Sequence, residues 1–188
     1  MPRLLIVTAS TRPGRIGPAV TDWFAHVAAE HNGFEVEVAD LAELNLPLYN
    51  EPSHPRLGNY EHEHTKRWSA IVDRADAVVF VMPEYNYSFS APLKNAFDYL
   101  HREWQYKPVG FVSYGGVSGG MRAVQQFKQV VTTLTMLPVP VQVALQNVAQ
   151  FLHDGQFEPD AAAEGAAKTM LDELARVTPA LAGLRATA

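Results

Sequence analysis

The chain has 188 residues, of which 47% are hydrophobic and 19% charged, and its formal net charge is -5. These values are typical of one globular domain over residues 1–188, with a folded core at about 3–177 and a C-terminal tail that frays. An acidic chain without a basic patch argues against a nucleic-acid partner. The absence of cysteine excludes disulfides, thiolate metal sites, iron–sulfur clusters and cysteine nucleophiles. The first apolar run is too short for a signal peptide or a membrane span, so we expect a cytoplasmic protein without a membrane partner.

Strand and helix patterns alternate five times along the chain. Short apolar or alternating runs predict strands at 4–8, 34–41, 77–82, 108–114 and 138–145. Amphipathic runs predict helices at about 20–32, 65–75, 91–104, 118–135 and 159–177. A long irregular stretch at about 42–63 is expected to be functional or interfacial. The alternation predicts an α/β fold: a flavodoxin-like three-layer sandwich with a five-stranded parallel sheet of order 2-1-3-4-5 and helices on both faces.

Polar loops follow the first, third and fourth predicted strands. In that strand order the three loops are neighbours, at the edge of the sheet where ligands bind. The first loop offers hydroxyls, two guanidinium groups and a helix N-terminus, all of which donate to an anion such as a phosphate monoester. Its candidate binding residues are Ser10, Thr11, Arg12, Arg15, Ile16 and Gly17. An ordinary Ser/Gly turn with two solvated arginines is the simpler alternative.

The other two loops have residues that suit a flat ring. The loop after the third strand mixes aromatic rings with amide and backbone donors, and its candidates are Pro83, Glu84, Tyr85, Asn86 and Tyr87. The loop after the fourth strand has four glycines, which let the backbone approach a ligand closely. Its candidates are Ser113, Tyr114, Gly115 and Gly116. A tyrosine-rich surface loop and a flexible connector are the alternatives. Together the three loops fit a mononucleotide with a flat base, and FMN fits best.

These loops resemble those of the NADPH-dependent FMN reductase family, which includes quinone, azo-dye and chromate reductases. The resemblance covers roughly 4–145, and its most specific part is Pro-Glu-Tyr-Asn at 83–86 followed by Pro-Leu-Lys-Asn-Ala at 92–96. It implies an enzyme with bound FMN, NADPH or NADH as electron donor and a small-molecule acceptor. It also implies a homodimer or homotetramer with the flavin near the subunit boundary.

The resemblance also assigns roles to individual residues. Ser10, Arg12, Ile16 and Gly17 would surround the FMN phosphate, residues 83–86 would line the isoalloxazine, and Ser113, Gly115 and Gly116 would flank its other edge. Many family members carry Ser or Asn a few residues past the arginine of the first loop. This chain has Arg15 in that region instead, as the cation that would replace them. No side chain is expected to act as nucleophile or general acid, and hydride would pass through the flavin in a ping-pong cycle.

Other interpretations remain open. Gly-Val-Ser-Gly-Gly at 116–120 fits a hydrolase nucleophile elbow with Ser118, but no acid lies between Ser118 and the only later histidine, His153. A non-catalytic flavodoxin would be more acidic. Asp40 could serve a dinucleotide-binding domain, but the Gly-x-Gly-x-x-Gly motif is missing.

A run of histidines and acids between 54 and 64 could suggest a metal ion, but it is not a zinc signature, and we interpret it as solvated loop. The run contains His54, Glu61, His62, Glu63 and His64. No metal site is therefore predicted.

Overall fold

The computed structural model describes residues 1–154 and 156–186, which form a parallel sheet with helices on both faces. Its strands are β1 (Arg3–Thr8), β2 (Glu35–Asp40), β3 (Ala77–Pro83), β4 (Pro108–Tyr114), β5 (Leu137–Pro138) and β6 (Val143–Leu145). The order is β2-β1-β3-β4-β5, with β6 also paired to β4. The predicted flavodoxin-like order is confirmed.

Six helices surround this sheet. They are α1 (Gly17–His31), α2 (Leu41–Leu44), α3 (Glu63–Asp73), α4 (Ala91–Asp98), α5 (Met121–Thr133) and α6 (Ala161–Arg185). A small antiparallel pair, β7 (Leu152–His153) and β8 (Gln156–Phe157), was not predicted. Within the described ranges, none of the helices combines the length and apolarity needed to cross a bilayer.

Each face of the sheet carries its own hydrophobic cluster. Alternate residues of β1 point to opposite faces, so Leu4 joins one cluster and Leu5 the other. α1 and α6 cover the first face with residues such as Phe24, and α3, α4 and α5 cover the second with residues such as Phe127. β3 and β4 are buried along their whole length. Burial on both faces explains why these strands are continuous apolar runs.

The helix predicted over 91–104 is α4, which ends at Asp98, six residues before its predicted end. The indole N–H of Trp68 donates to the Ala96 carbonyl at 2.8 Å, and that of Trp104 donates to the Phe97 carbonyl at 3.1 Å. The last carbonyls of α4 are therefore satisfied by side chains where the chain leaves the helix. A separate 3₁₀ turn follows at Arg102–Trp104.

The fifth strand is split, whereas the sequence predicts it as continuous over 138–145. β5 and β6 both pair with β4 but are separated around Pro140, which has no N–H to give to a ladder.

The expectation that the tail frays from Thr178 is wrong as far as Arg185, because α6 continues to that residue. The Arg185 guanidinium donates to the Asp76 carboxylate at 2.6 Å. This contact binds the end of α6 to the residue that precedes β3. Residues 187 and 188 lie outside the described part of the chain.

Lys107 is a buried cation at the amino edge of the sheet, far along β4 from the candidate loops. Its side chain is 2% exposed, and its Nζ donates to the carbonyls of Val72 and Asp73 at the end of α3. Burial lowers the pKa of Lys107 to about 8. A neutral amine still has two N–H donors, which match the two carbonyls.

Lys107 should make the stability of the protein rise between pH 8 and pH 10. The unfolded state, with the ordinary lysine pKa of 10.5, binds more protons than the folded state across this window. Relative to Lys107→Met, the wild-type free energy of unfolding should therefore increase by about 2 kcal/mol from pH 7.5 to pH 10. Urea unfolding of both proteins across this range measures the difference, and parallel pH profiles would contradict it.

Candidate functional site

The three predicted loops meet at one edge of the sheet. In the strand register Thr8 stands beside Val81, and Val81 stands beside Val112, so β1, β3 and β4 end together. The loop after β3 is bound to its neighbours on both sides. Ser90 Oγ donates to the Ala9 carbonyl at 2.9 Å, and the Glu84 N–H donates to the Tyr114 carbonyl at 3.1 Å. The loops form one continuous surface.

Two buried hydroxyl groups without a hydrogen-bond partner, those of Ser10 and Tyr114, lie beside the N-terminus of α1. Ser10 is 1% exposed and Tyr114 is 4% exposed, and neither hydroxyl makes a well-formed hydrogen bond within the described residues. A Cβ atom on Gly17 would lie 2.2 Å from Ser10 Oγ and 2.8 Å from the Tyr114 hydroxyl. Both hydroxyls therefore converge on the Gly17 backbone, where only a residue without a side chain fits, and we call Ser10, Gly17 and Tyr114 together the Gly17 cradle.

This cradle has the chemistry of an anion site. Burial raises the pKa of Tyr114 to about 12, although the Ser10 hydroxyl beside it acts to lower it, so Tyr114 is a neutral donor at physiological pH. α1 begins without a side-chain cap and without an acidic residue in its first turn. Its free N–H groups and its dipole favour a negative charge there. These donors suit a phosphate group, and a buried hydroxyl left unpaired costs about 1–3 kcal/mol.

Arg15 is engaged elsewhere in the first loop. Its guanidinium forms a two-pronged ion pair with Asp40 at 2.7 Å for each contact, and it also donates to the Ser10 carbonyl at 2.5 Å. The hydrogen bonds to Asp40 raise the pKa of Arg15 despite its partial burial. Asp40 also caps α2 through the Ala42 N–H. This arrangement favours a structural role for Arg15 and leaves the exposed Arg12 as the available cation.

The loop after β3 contains a tight two-residue turn. The Tyr85 N–H donates to the Ser88 carbonyl at 2.8 Å, and the Ser88 N–H donates back at 2.9 Å. Asn86 and Tyr87 between them have φ angles of +49° and +70°. This left-handed pair is the geometry that matches a hairpin twist, but a bulky residue seldom adopts it. Tyr85 and Tyr87 are 39% and 64% exposed, so both rings are open to a ligand.

Glu84 directs its carboxylate away from the surface of the loop. It forms an ion pair with Arg122 of α5, 2.9 Å between Oε1 and Nε, and accepts the Arg122 backbone N–H at 3.2 Å. The side chain of Glu84 therefore fixes the loop to α5. Pro83 is the buried last residue of β3 and places the turn. Sequence patterns did not identify Arg122, because it lies in α5, outside all three loops.

Hydrogen bonds to backbone carbonyls order the glycine loop after β4. Ser113 Oγ donates to the Gly119 carbonyl at 2.7 Å, so this side chain shapes the loop and is not free for a ligand. The Gly115 N–H donates to the Leu145 carbonyl at 3.3 Å. Gly116 is exposed, with nothing within 4 Å of where a Cβ would lie. The close approach predicted for this loop is available at Gly116.

The remaining first-loop candidates differ in accessibility. Thr11 is exposed, and Ile16 is half-buried at the N-cap of α1.

Ser118, the candidate nucleophile, forms no side-chain hydrogen bond to a histidine or a carboxylate in the part of the chain that the structure describes. This leaves the elbow motif without the machinery of a hydrolase.

The histidine-rich segment holds the long loop in place. His62 and His64 stack with ring centroids 5.1 Å apart, and their Nε2 atoms contact the carbonyl and the side chain of Asn50. Glu51 is buried and accepts the N–H groups of Glu61 and His62. No cluster suited to a metal ion occurs among residues 1–154 and 156–186.

A groove of about 1090 Å³, which none of the candidate binding residues lines, lies between residues 49–55, Phe89, α4 and α5. Its floor includes Phe89, Phe97 and Val130. Cavity size alone would direct attention there, but two buried hydroxyls that lack a hydrogen-bond partner, those of Ser10 and Tyr114, converge at the Gly17 cradle. We therefore place the candidate cofactor site at the loops.

Gly17→Ala should weaken FMN binding, because the added Cβ would lie 2.2 Å from Ser10 Oγ and 2.8 Å from the Tyr114 hydroxyl and must displace both from the cradle. Thermal unfolding checks that the variant is folded. We expect the FMN dissociation constant, measured by quenching of flavin fluorescence, to rise at least about 100-fold, the equivalent of about 2.7 kcal/mol. Gly165→Ala is the matched control, since a Cβ on Gly165 of α6 meets nothing within 4 Å. Equal FMN affinities of the two variants would contradict the cradle.

Comparison with known proteins identifies the family of this chain. Residues 2–150 match the NADPH-dependent FMN reductase family. The chain is 37% identical over 160 residues to an NAD(P)H-dependent FMN reductase of Schizosaccharomyces pombe, spanning 84% of this chain and 80% of that protein. It is 35% identical over 130 residues to an NADPH azoreductase of Bacillus sp. strain OY1-2, spanning 68% of this chain and 70% of that protein.

A solved structure extends the likeness to the fold. FerB, a flavoenzyme NAD(P)H:(acceptor) oxidoreductase from Paracoccus denitrificans, superposes with a TM-score of 0.76 at 21% identity, covering 95% of this chain and 98% of that one. At this level of identity the similarity supports the flavodoxin-like architecture. On the sequence matches, this chain belongs to the NADPH-dependent FMN reductase family, whose members are oxidoreductases that use FMN and a reduced nicotinamide.

Proposed function

We propose that this enzyme transfers hydride from NADPH or NADH through FMN to a small-molecule acceptor: a quinone, an azo compound, a metal oxyanion or a free flavin. The observation that carries the proposal is the pair of unpartnered, buried hydroxyls of Ser10 and Tyr114 at the start of α1. The names of related proteins, an azoreductase and an NADPH:quinone oxidoreductase of Arabidopsis thaliana among them, support this range of acceptors.

The residues divide into those that would touch FMN and those that shape the loops. Ser10, Tyr114, Arg12 and the N–H groups at Gly17 would hold the phosphate, with Thr11 and Ile16 around it. Tyr85, Asn86, Tyr87 and Gly116 would border the ring. Arg15, Glu84, Pro83, Ser113 and Gly115 act on the loops through the contacts described above. Bound FMN supplies the redox chemistry, since no side chain here cycles between oxidation states.

The backbone of the ring-binding loops offers donors for a polar ring edge. Among the described residues, the N–H groups of Asn86, Tyr87 and Gly116 donate to no backbone carbonyl or side chain. Fixed donors of this kind stabilise negative charge without reorganising. The chain otherwise contributes position, because a donor and an acceptor held in turn at one open face avoid the entropy cost of encounter. No general acid is assigned.

The visible spectrum tests the cofactor assignment. After the purified protein is mixed with FMN and desalted, it should retain flavin absorbance, and NADPH should bleach that absorbance without a partner reductase. Bleaching by NADPH alone also separates an enzyme from a passive electron carrier. A colourless protein after desalting, with no quenching of FMN fluorescence in titration, would overturn the proposal.

Steady-state kinetics test whether the nicotinamide and the acceptor bind in turn at the same face of FMN. We expect parallel double-reciprocal lines when NADPH is varied at several fixed quinone concentrations, because the oxidised nicotinamide must leave before the acceptor enters. Intersecting lines would mean that both substrates are bound at once.

The proposal includes the assembly and the location of the enzyme. We infer a homodimer or homotetramer that works in the cytoplasm, where reduced nicotinamides are produced. The exposed rings of Tyr85 and Tyr87 support an assembly, because exposed aromatic residues are frequent at subunit contacts. Light scattering should give a molar mass that is two or four times 20.7 kDa, and a monomer would contradict this part.

A further inference from the structure

The turn from Tyr85 to Ser88 is held in a conformation that its residues do not favour. Tyr87 has a φ of +70°, in a region that a bulky side chain rarely occupies. One pair of backbone hydrogen bonds closes the turn, and a hairpin this short is not stable alone in water. Its shape must therefore come from neighbouring elements.

Arg122 makes three contacts with this segment. Its Nε lies 2.9 Å from Glu84 Oε1, and its backbone N–H donates to Glu84 Oε2 at 3.2 Å. Its guanidinium carbon lies 3.8 Å from the centroid of the Tyr87 ring, a cation–π contact. The Glu84 side chain is 9% exposed and that of Arg122 is 40% exposed, so water and salt screen this ion pair less than a pair in which both partners are exposed. The Arg122 side chain thus connects Glu84, the residue before the turn, with Tyr87, the turn residue that has the larger positive φ.

Gln126 lies one helical turn further along α5 and holds the other half of the segment. Its Nε2 donates to the Tyr87 carbonyl at 2.9 Å, and its Oε1 accepts the Ser88 hydroxyl at 2.7 Å. Both ends of the amide are therefore used by the turn. Phe127, the next residue, is fully buried and anchors α5 in the core. Arg122 and Gln126 face the turn from a rigid support.

We propose that Arg122 and Gln126 are positioning residues that preorganise the Tyr85–Ser88 turn for FMN. This inference rests on the proposed function, which places the turn at the flavin ring. A turn that is ordered before FMN arrives loses less conformational entropy on binding, so affinity is higher than for a loose turn. If the contacts served only the stability of the fold, their loss would lower the melting temperature and leave the affinity of the folded protein unchanged.

The test compares Arg122→Met, Arg122→Lys and Gln126→Ala with wild type. Arg176→Met is the matched control, since Arg176 forms an ion pair with Glu173 at 2.6 Å on α6, away from the site. Two quantities are measured: the FMN dissociation constant by fluorescence quenching, and hydrogen exchange of the Tyr85 and Ser88 amides in protein without FMN. Thermal unfolding confirms that each variant is folded.

We expect Arg122→Met to raise the dissociation constant and the two exchange rates by about tenfold, since it loses the ion pair and the cation–π contact together. Arg122→Lys should show about a threefold effect, because lysine keeps the charge beside Glu84 but lacks the planar guanidinium. Gln126→Ala should show a loss of about threefold from its two neutral hydrogen bonds. Arg176→Met should match wild type.

Two results would overturn the inference. In a folded Arg122→Met protein, unchanged FMN affinity would remove the positioning role, and weaker affinity with unchanged amide exchange would mean a direct contact with FMN instead. If Arg122→Met does not fold, Arg122→Lys and Gln126→Ala decide the question by the same two measurements. Failure of wild type to bind FMN would overturn the proposed function, whereas the exchange rates measured without FMN still report whether α5 holds the turn.

Discussion

The parallel pairing of β1, β3 and β4 is the constraint on which the site depends. Because parallel strands all run in one direction, the loops that leave their carboxyl ends must start side by side. Burial on both faces keeps these strands in register, since a shift by one residue would move each side chain into the wrong cluster. The core thus sets the distance between the starts of these loops, and with it the spacing of the Gly17 cradle and the Tyr85–Ser88 turn.

The sequence was sufficient to predict the strands and the three loops, because both follow from local patterns. The strand order followed from the alternation of strands and helices, which only a few known topologies accommodate. Helix ends were harder. α4 stops where the indole N–H groups of Trp68 and Trp104 reach its carbonyls, and α6 continues because Arg185 reaches Asp76. Each of these contacts joins residues whose proximity only the folded chain creates. Periodicity along the chain carries no information about them.

The same distinction applies within the candidate site. Residue type identified Ser10, Tyr114 and Gly17, whose convergence depends on the ends of β1 and β4, the two strands that flank β3. Residue type was misleading for side chains with strong partners elsewhere. Arg15 is held by Asp40, and Ser113 is held by the Gly119 carbonyl. Polar loop residues therefore fall into two groups, those that face a ligand and those that shape the loop, and only tertiary hydrogen bonds separate the groups.

Tyr87 has a consequence for anyone who engineers this enzyme for heat resistance. A common strategy replaces non-glycine residues of positive φ by glycine, and Tyr87 would be among the first targets. In this protein the Tyr87 ring forms the cation–π contact with Arg122. Tyr87→Gly would therefore relieve the strain of the backbone but remove one of the contacts that hold the turn. On the proposed placement of FMN beside this turn, the more heat-resistant protein would release its cofactor more readily, which is the usual conflict between stability and activity.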